Sequence, residues 1–437
     1  MQLLSVTKEF KLLGSKQIEK EPYKVLYQLF NKAVLVADPM EVIPLMLPRK
    51  PSGRVVVIGA GKASARMAEA VESVWGPCEG VVITRYGYTR PLNSIRIVEA
   101  AHPTPDHQGV LGTQEILTLL ETLTENDFVL CLISGGASSL LCAPAEGLSL
   151  SDKQEVNKVL LRSGAPIGEM NVVRKHLSKV KGGQLGAASY PSNMLCLIIS
   201  DVAGDNLSDI ASGVTTAESS KVQDAKDIIS KYNMDMPKVV ETIFSLGSTV
   251  IPPTDNRLDS VNNIIVSAPS KSLVAAKELA LSQGFSVEFL GDALEGEAKS
   301  EGVRQANIAL KIQSKLQAGD NPVILLSGGE YTVSIRSNGI GGPNAEFALA
   351  ALVQLDEQPG IYLISCDTDG IDGTAEVAGA FVAPNTLNIA GLKGINADEF
   401  LERNDSHSFF KEVGGQIITG PTLTNVNDFR AFLIQPL

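Results

Sequence analysis

Val55 to Ile58 is an unbroken apolar run that ends at a glycine, and the segment 63–74 behind it carries apolar residues at helical spacing. A strand apolar on both faces must be covered on both faces, and a helix directly after it supplies one cover. This grammar demands a parallel sheet sandwiched by helices. It repeats along the chain. Strands are predicted at 81–83, 128–133 and 194–199, and helices at 21–36, 108–123 and 151–161, the last opening on a Ser-x-x-Gln capping box at Ser151 and Gln154. The polar stretch 215–221 and the proline-bearing stretch 248–257 break the pattern, so the domain boundary is placed between them, giving 1–245 and 246–437. The second part is α/β as well, with strands predicted at 262–266, 285–290, 323–326, 332–335, 361–365 and 416–419 and helices at 271–282 and 297–316.

Charge narrows the function classes. In 437 residues, 37 Lys+Arg face 49 Asp+Glu, for a net charge of −12. An acidic chain lacks the basic face that binding nucleic acid requires, although a nucleotide needs only a local site. No apolar run approaches the ~20 residues of a membrane span. The N-terminus shows no basic segment, apolar core and cleavage site in series, so secretion is not expected. The five cysteines are odd in number and without metal-ligand spacing, which fits a reduced, cytoplasmic setting. The four histidines form no HxxxH or HExxH pattern, so no dedicated zinc site is expected. The expected partners are small molecules, not nucleic acid or membrane.

The unusual residues lie where strands are expected to end, which is where open α/β sheets bind ligands. The first strand runs into Gly59-Ala60-Gly61-Lys62-Ala63-Ser64. Glycines admit an anion close to the backbone, and a lysine at a helix start is costly unless an anion compensates it. The dinucleotide fingerprint fails, because Ser64 replaces its third glycine and the next strand ends at Thr84-Arg85 without an acid. The Walker loop fails too, with Val56 at its first glycine. Ser134-Gly135-Gly136-Ala137-Ser138 reads as an anion nest, or more plainly as a tight turn. Asp201 and Asp205 could hold Mg²⁺, Asp201 could act as a general base, or both could be helix caps. Asn171 and Arg174 are placed at a helix start, followed by Lys179 and Lys181; Arg174 suits a carboxylate, and a solvated basic face is the plain alternative. In the second part, Ser327-Gly328-Gly329-Glu330 is expected to end a strand, Asn344 to open a helix after a glycine-rich loop, and 367–373 to form a turn with capping aspartates.

Taken in order, GAGK at 59–62, HPTPD at 102–106, SGGASSL at 134–140, NVVRKHLSKVKGG at 171–183, SDVAGD at 200–205, SGGE at 327–330, DTDGIDG at 367–373 and TGPTLTNVND at 419–428 resemble the class II glycerate kinases. These are the glycerate 2-kinases with a MOFRL C-terminal domain, and the resemblance spans about residues 20 to 435. It implies a Rossmann-like α/β parallel-sheet domain plus a smaller α/β domain, the MOFRL region at about 320–430, with the site in the cleft between the domains. It also implies ATP-dependent phosphorylation of the 2-hydroxyl of D-glycerate to 2-phosphoglycerate, with Mg²⁺, and leaves room for a homodimer. Lys62 matches the family's catalytic lysine, and Asp201 is its expected catalytic companion. Gly59, Gly61, Ser134, Gly135, Gly136, Ser138, Asn171, Arg174, Gly329, Glu330 and Asn344 are the substrate- and phosphate-binding candidates. Asp201 and Asp205 are the metal candidates. The family's second cation, an arginine in a GGRNQE-like segment, is replaced by Pro343, which leaves Arg336 or Lys181 to supply its charge, or a different small hydroxy acid or sugar acid as the acceptor. The name hydroxypyruvate reductase, often given to such proteins, sits badly with the failed dinucleotide fingerprint.

Overall fold

A computed structural model describes residues 20–437, so the reading of the extreme N-terminus lies outside the described residues. The chain forms two compact units. One comprises Ala37–Ala268 and the short segment Leu423–Asn425; the other comprises residues 20–36, Pro269–Thr422 and Val426–Leu437.

The first unit is built on six parallel strands: β1 (Val55–Ala60), β2 (Glu79–Arg85), β3 (Arg96–Ala100), β4 (Phe128–Ile133), β5 (Asn193–Ile199) and β6 (Val261–Ser267). Their order is β3-β2-β1-β4-β5-β6. This is the doubly wound arrangement, in which the direction of winding reverses between β1 and β4 and opens a crevice at their carboxyl ends. Val56, Ile58, Val81, Ile83, Val129, Cys131 and Cys196 bury one face together with Ile116 and Leu120 of the helix His107–Leu120. β6, expected from the sequence to open the second part, completes this sheet beside β5.

The second unit holds β7 (Ser286–Glu297), β8 (Val323–Thr332), β9 (Ile361–Asp367), β10 (Gly379–Val382), β11 (Gln416–Ile417) and β12 (Asp428–Ile434). Their order is β11-β10-β9-β12-β8-β7, and only the β7–β8 pair is parallel. The helices Ala298–Gln313 and Pro343–Leu355 pack on one face. Leu26, Leu29 and Phe30 of the helix Lys20–Leu35 pack on the other, with Leu273 and Ala276 of the helix Pro269–Ser282.

Several local expectations need correction. The capping box of the helix Leu150–Arg162 is Ser149 with Asp152, not Ser151 with Gln154: Ser149 Oγ accepts from the Asp152 N–H at 3.0 Å, and Asp152 Oδ2 accepts from the Ser149 N–H at 3.1 Å. The segment Ser327–Glu330 does not end a strand. β8 runs through it to Thr332, because Gly329 pairs with both Asp428 and Leu294, and a Cβ there would meet the Leu294 backbone nitrogen at 2.3 Å. Asn171 and Arg174 lie in the body and last turn of the helix Ile167–His176, not at a helix start.

Gly80 is the tightest point between β1 and β2. A Cβ there would stand 2.0 Å from the Val57 carbonyl oxygen, so Gly80→Ala must push the strands apart. Overpacking of this kind typically costs ~1–3 kcal/mol. Urea unfolding of Gly80→Ala should show a lowered midpoint of that size; an unchanged midpoint would mean that this strand pair is not as closely packed as described.

Candidate functional site

The carboxyl ends of β1 and β4, on either side of the winding reversal, are tied to one another. The Lys62 N–H donates to the Gly135 carbonyl at 2.8 Å, and the Ala63 N–H donates to Ser134 Oγ at 3.0 Å. Gly61 has a φ of +134° and packs so tightly that a Cβ would lie 2.1 Å from Ser134 Oγ. Ser64 Oγ lies 2.8 Å from the carbonyl oxygens of both Gly61 and Ile83, and Thr84 Oγ1 donates to the Gly61 carbonyl at 3.2 Å. Ser64 is thus a fastener between this loop and β2, the reason a serine stands where a dinucleotide loop carries glycine. Gly59 lies within β1, facing Leu132 of β4, so its lack of a side chain serves strand packing.

From this seam Lys62 rises beside Gly136, whose missing Cβ would sit 3.4 Å from Lys62 Cγ and 3.0 Å from the His102 ring. Among the described residues, no backbone hydrogen bond uses the N–H groups of Gly135 or Gly136. Asp201, just after β5, brings its carboxylate to the same place: a Cβ on Gly135 would lie 2.2 Å from Asp201 Oδ2, which accepts from Asn425 Nδ2 at 3.1 Å. Asp205 follows in a strained loop in which Asp205, Ala211 and Ser212 have φ of 54°, 52° and 58°. Its Oδ1 is buried without a hydrogen-bond partner. Backbone strain in non-glycine residues persists only where the surroundings impose it.

A second network adjoins the first. Ser138 Oγ lies 2.8 Å from Ser212 Oγ and accepts from Lys181 Nζ at 2.9 Å. Ser212 Oγ reaches Asn171 Oδ1 at 3.4 Å, and Arg174 Nη1 donates to the same oxygen at 3.3 Å. Asn171 is therefore a buried brace for Arg174, one turn before it on the helix. Burial pushes the Arg174 guanidinium and the Lys153 and Lys181 ammonium groups below their ordinary values. Lys62, Ser134, Gly135, Gly136, Ser138, Asn171, Arg174, Asp201 and Asp205 all belong to this parallel-sheet unit. Sequence reasoning passed over Lys153 and Asn425. The signal for Lys153 was present: it occupies the apolar stripe of its helix with Val156 and Leu160, where a lysine is out of place.

The remaining candidates belong to the other unit. Asn344 is fully buried and fully engaged: its side chain donates to Asp428 at 2.7 Å and accepts from Ser365 Oγ at 2.7 Å. Asp428 ion-pairs with Arg430, which also donates to the Gly329 carbonyl at 3.3 Å. Glu330 is exposed on β8. Asp372 accepts from the N–H groups of Asn344 and Ala345 at 2.9 and 2.8 Å, so the aspartate-rich run 367–373 does cap and brace backbone, as its plain reading held. Pro343 is the first residue of the helix Pro343–Leu355, a position that suits proline's fixed φ.

Comparison with known proteins places this architecture. A domain-of-unknown-function model, DUF4147, matches residues 25–245, and the MOFRL family model matches residues 323–428. A D-glycerate 2-kinase from Thermotoga maritima is 38% identical over 94% of this chain and 98% of its own length. A glycerate 2-kinase from Pyrococcus horikoshii is 39% identical over 95% and 94%. A protein from Agrobacterium vitis, named provisionally as a hydroxypyruvate reductase, is 45% identical over 94% of both chains. The crystal structure of glycerate kinase from Thermotoga maritima superposes with a TM-score of 0.84 at 37% identity, covering 94% of this chain and 99% of that one. Two α/β units, the matching domain pair and this depth of identity along nearly the whole length mean that the chain belongs to the MOFRL-domain glycerate 2-kinase family.

Proposed function

We propose that this chain is an ATP-dependent kinase that phosphorylates the 2-hydroxyl of D-glycerate to give 2-phosphoglycerate. The observation that carries this reading is the seam between β1 and β4, which sets Lys62, two open backbone N–H groups and the Asp201 carboxylate around one glycine pair. Phosphoryl transfer needs positioning and charge neutralisation far more than covalent help. In this reading Lys62 contacts the transferring phosphoryl group, and the loop from Ser134 to Ser138 cradles phosphate oxygens through its backbone donors. Asp201 holds a metal or takes the proton of the acceptor's hydroxyl. Arg174, braced by Asn171, binds the acid's carboxylate.

The residues fit Mg²⁺. The Asp201 carboxylate would repel a phosphate held on this loop unless a cation lies between them, and the partnerless Asp205 Oδ1 is a second oxygen of the right kind. Mg²⁺ takes one or two carboxylates and completes its shell with water and substrate phosphates. Asp201 and Asp205 would hold it, and it would neutralise phosphate charge when bound. The reductase reading finds less support. Ser64 and Thr84 close the loop where a dinucleotide's pyrophosphate would need open glycine, and β2 ends without a ribose-binding acid.

The assay is direct. Purified enzyme with ATP and D-glycerate should release ADP and 2-phosphoglycerate, lose activity in excess EDTA, and show no NADH oxidation on hydroxypyruvate. Because Pro343 lacks the family arginine's charge, kcat/KM is compared across small hydroxy acids. NADH turnover without ATP-dependent phosphorylation of any of them would reject the reading. Lys62→Ala should keep its melting temperature and lose ~10²–10³ in kcat, as when one transition-state charge contact is removed. A near-normal kcat would remove Lys62 from the chemistry. Gly135→Ala forces Asp201 aside, and a misplacement of about 1 Å can cost ~10² in rate; equal activity in this variant would separate Asp201 from the reaction.

A further inference from the structure

The parallel-sheet unit contains a pocket walled by Lys153, Arg174 and Lys181 together with His102, Ser138 and Asn157. Lys153 is 5% exposed and Lys181 1%. No hydrogen bond or ion pair engages the Lys153 ammonium among the described residues. Lys181 Nζ bonds only neutral groups, the Ser138 carbonyl at 2.5 Å and Ser138 Oγ at 2.9 Å. Arg174 reaches only the neutral Asn171 oxygen. No Asp or Glu lines the pocket. After burial itself, the strongest influences on Lys181 are Lys153 and Arg174, both repulsive.

Among the described residues, the other buried lysine and arginine side chains are paired. Lys175, on the same helix as Arg174, meets Glu218 at 2.5 Å, and Arg430 meets Asp428. A buried charge with no counter-charge keeps its desolvation penalty unrelieved. Two such ammonium groups, Lys153 and Lys181, beside the partly buried Arg174 make a cavity that an anion would stabilise. A monocarboxylate brings one negative charge. A phosphorylated hydroxy acid brings a carboxylate and, on the neighbouring carbon, a phosphoryl group of about −1.5 to −2 at pH 7, close to the charge of three cations.

We propose that Lys153, Arg174 and Lys181 form the binding site for the phosphorylated acid, with the Arg174 fork on the carboxylate and the two ammonium groups on the phosphoryl oxygens. This division follows the donors: a planar guanidinium matches a carboxylate in two parallel bonds, whereas an ammonium acts as a point charge on phosphate. Apart from the His102 imidazole the pocket wall carries no aromatic ring, and no apolar side chain beyond Pro103 and Pro105, so its lining favours a small anion. The identity of the acid as 2-phosphoglycerate rests on the kinase reading above; the need for an anion does not. Lys153 and Lys181 would then decide how tightly the product is held, and so how strongly it inhibits.

Calorimetric titration of the intact protein with 2-phosphoglycerate, D-glycerate and ADP tests this. The wild type should bind 2-phosphoglycerate more tightly than D-glycerate. Lys153→Met, which keeps the stem and removes the charge, should weaken 2-phosphoglycerate at least ~10-fold, the loss expected for one charge-assisted contact. Its ADP affinity should be unchanged, and without ligand it should melt no lower than the wild type, because an unpaired buried charge is gone. Should Lys153→Met fail to fold, Lys153→Gln makes the same comparison. Unchanged 2-phosphoglycerate binding, or a loss confined to ADP, overturns the proposal. Wild-type turnover of D-glycerate with unchanged product binding in the variant rejects this site and leaves the kinase reading intact. Lys153-dependent product binding without turnover does the reverse.

Discussion

The close approach of β1 and β4 at their carboxyl ends is the contact on which the geometry of the candidate site depends. With no side chain at Gly61, Ser134 Oγ can enter the turn and accept from the Ala63 N–H, and with none at Gly135, the Asp201 carboxylate can lie against the loop. The Lys62 N–H is anchored on the Gly135 carbonyl, so the lysine's root and the loop move as one body. The doubly wound strand order places this seam at the winding reversal, where the helices after β1 and β4 diverge and leave the strand ends open. Any side chain at either glycine would displace a neighbour that the site uses.

Charge in this unit is sorted by position. Asp201 and Asp205 follow β5, whereas Lys153, Arg174 and Lys181 gather on helices and turns beyond Ser138. Ser138 joins the two regions: its hydroxyl meets Ser212 and Lys181, and it lies in the same loop that receives Lys62 and Asp201. The strained loop from Asp205 to Ser212 helps hold this junction: Ser212, in a left-handed backbone conformation, reaches both Ser138 and Asn171. The cation pocket is destabilising to the empty protein, and such features are kept where a ligand uses them.

Much of this was legible in the linear chain because it depends on local pattern. An unbroken apolar run such as Val55–Ile58, ended by a glycine and followed by a helical pattern, reads as a strand covered on both faces, and that calls for a parallel sheet with helices. Glycine–lysine and serine–glycine turns after such strands mark anion sites, since few other residues let a ligand approach the backbone. β12 is buried along its whole length, but Asp428 and Arg430 break its apolar run, and their pairing within the strand is not visible from the sequence pattern. Gly328 and Gly329 look like a turn in the sequence, but β8 continues through them: Gly328 makes room for the Leu273 side chain and Gly329 for the β7 backbone at Leu294.

The sequence by itself therefore determined the sheet-and-helix grammar, the family, and the loops where charge would matter, since each of these is written in residues adjacent along the chain. Only the tertiary structure decided that β6 joins the parallel sheet, that Asn425 returns from far downstream to hold Asp201, and that Lys153, Arg174 and Lys181 share one cavity without a carboxylate. Periodicity reports which face of an element is buried, but not what it is buried against. Whether a buried charge is paired depends on segments distant in sequence, and that is settled when they pack.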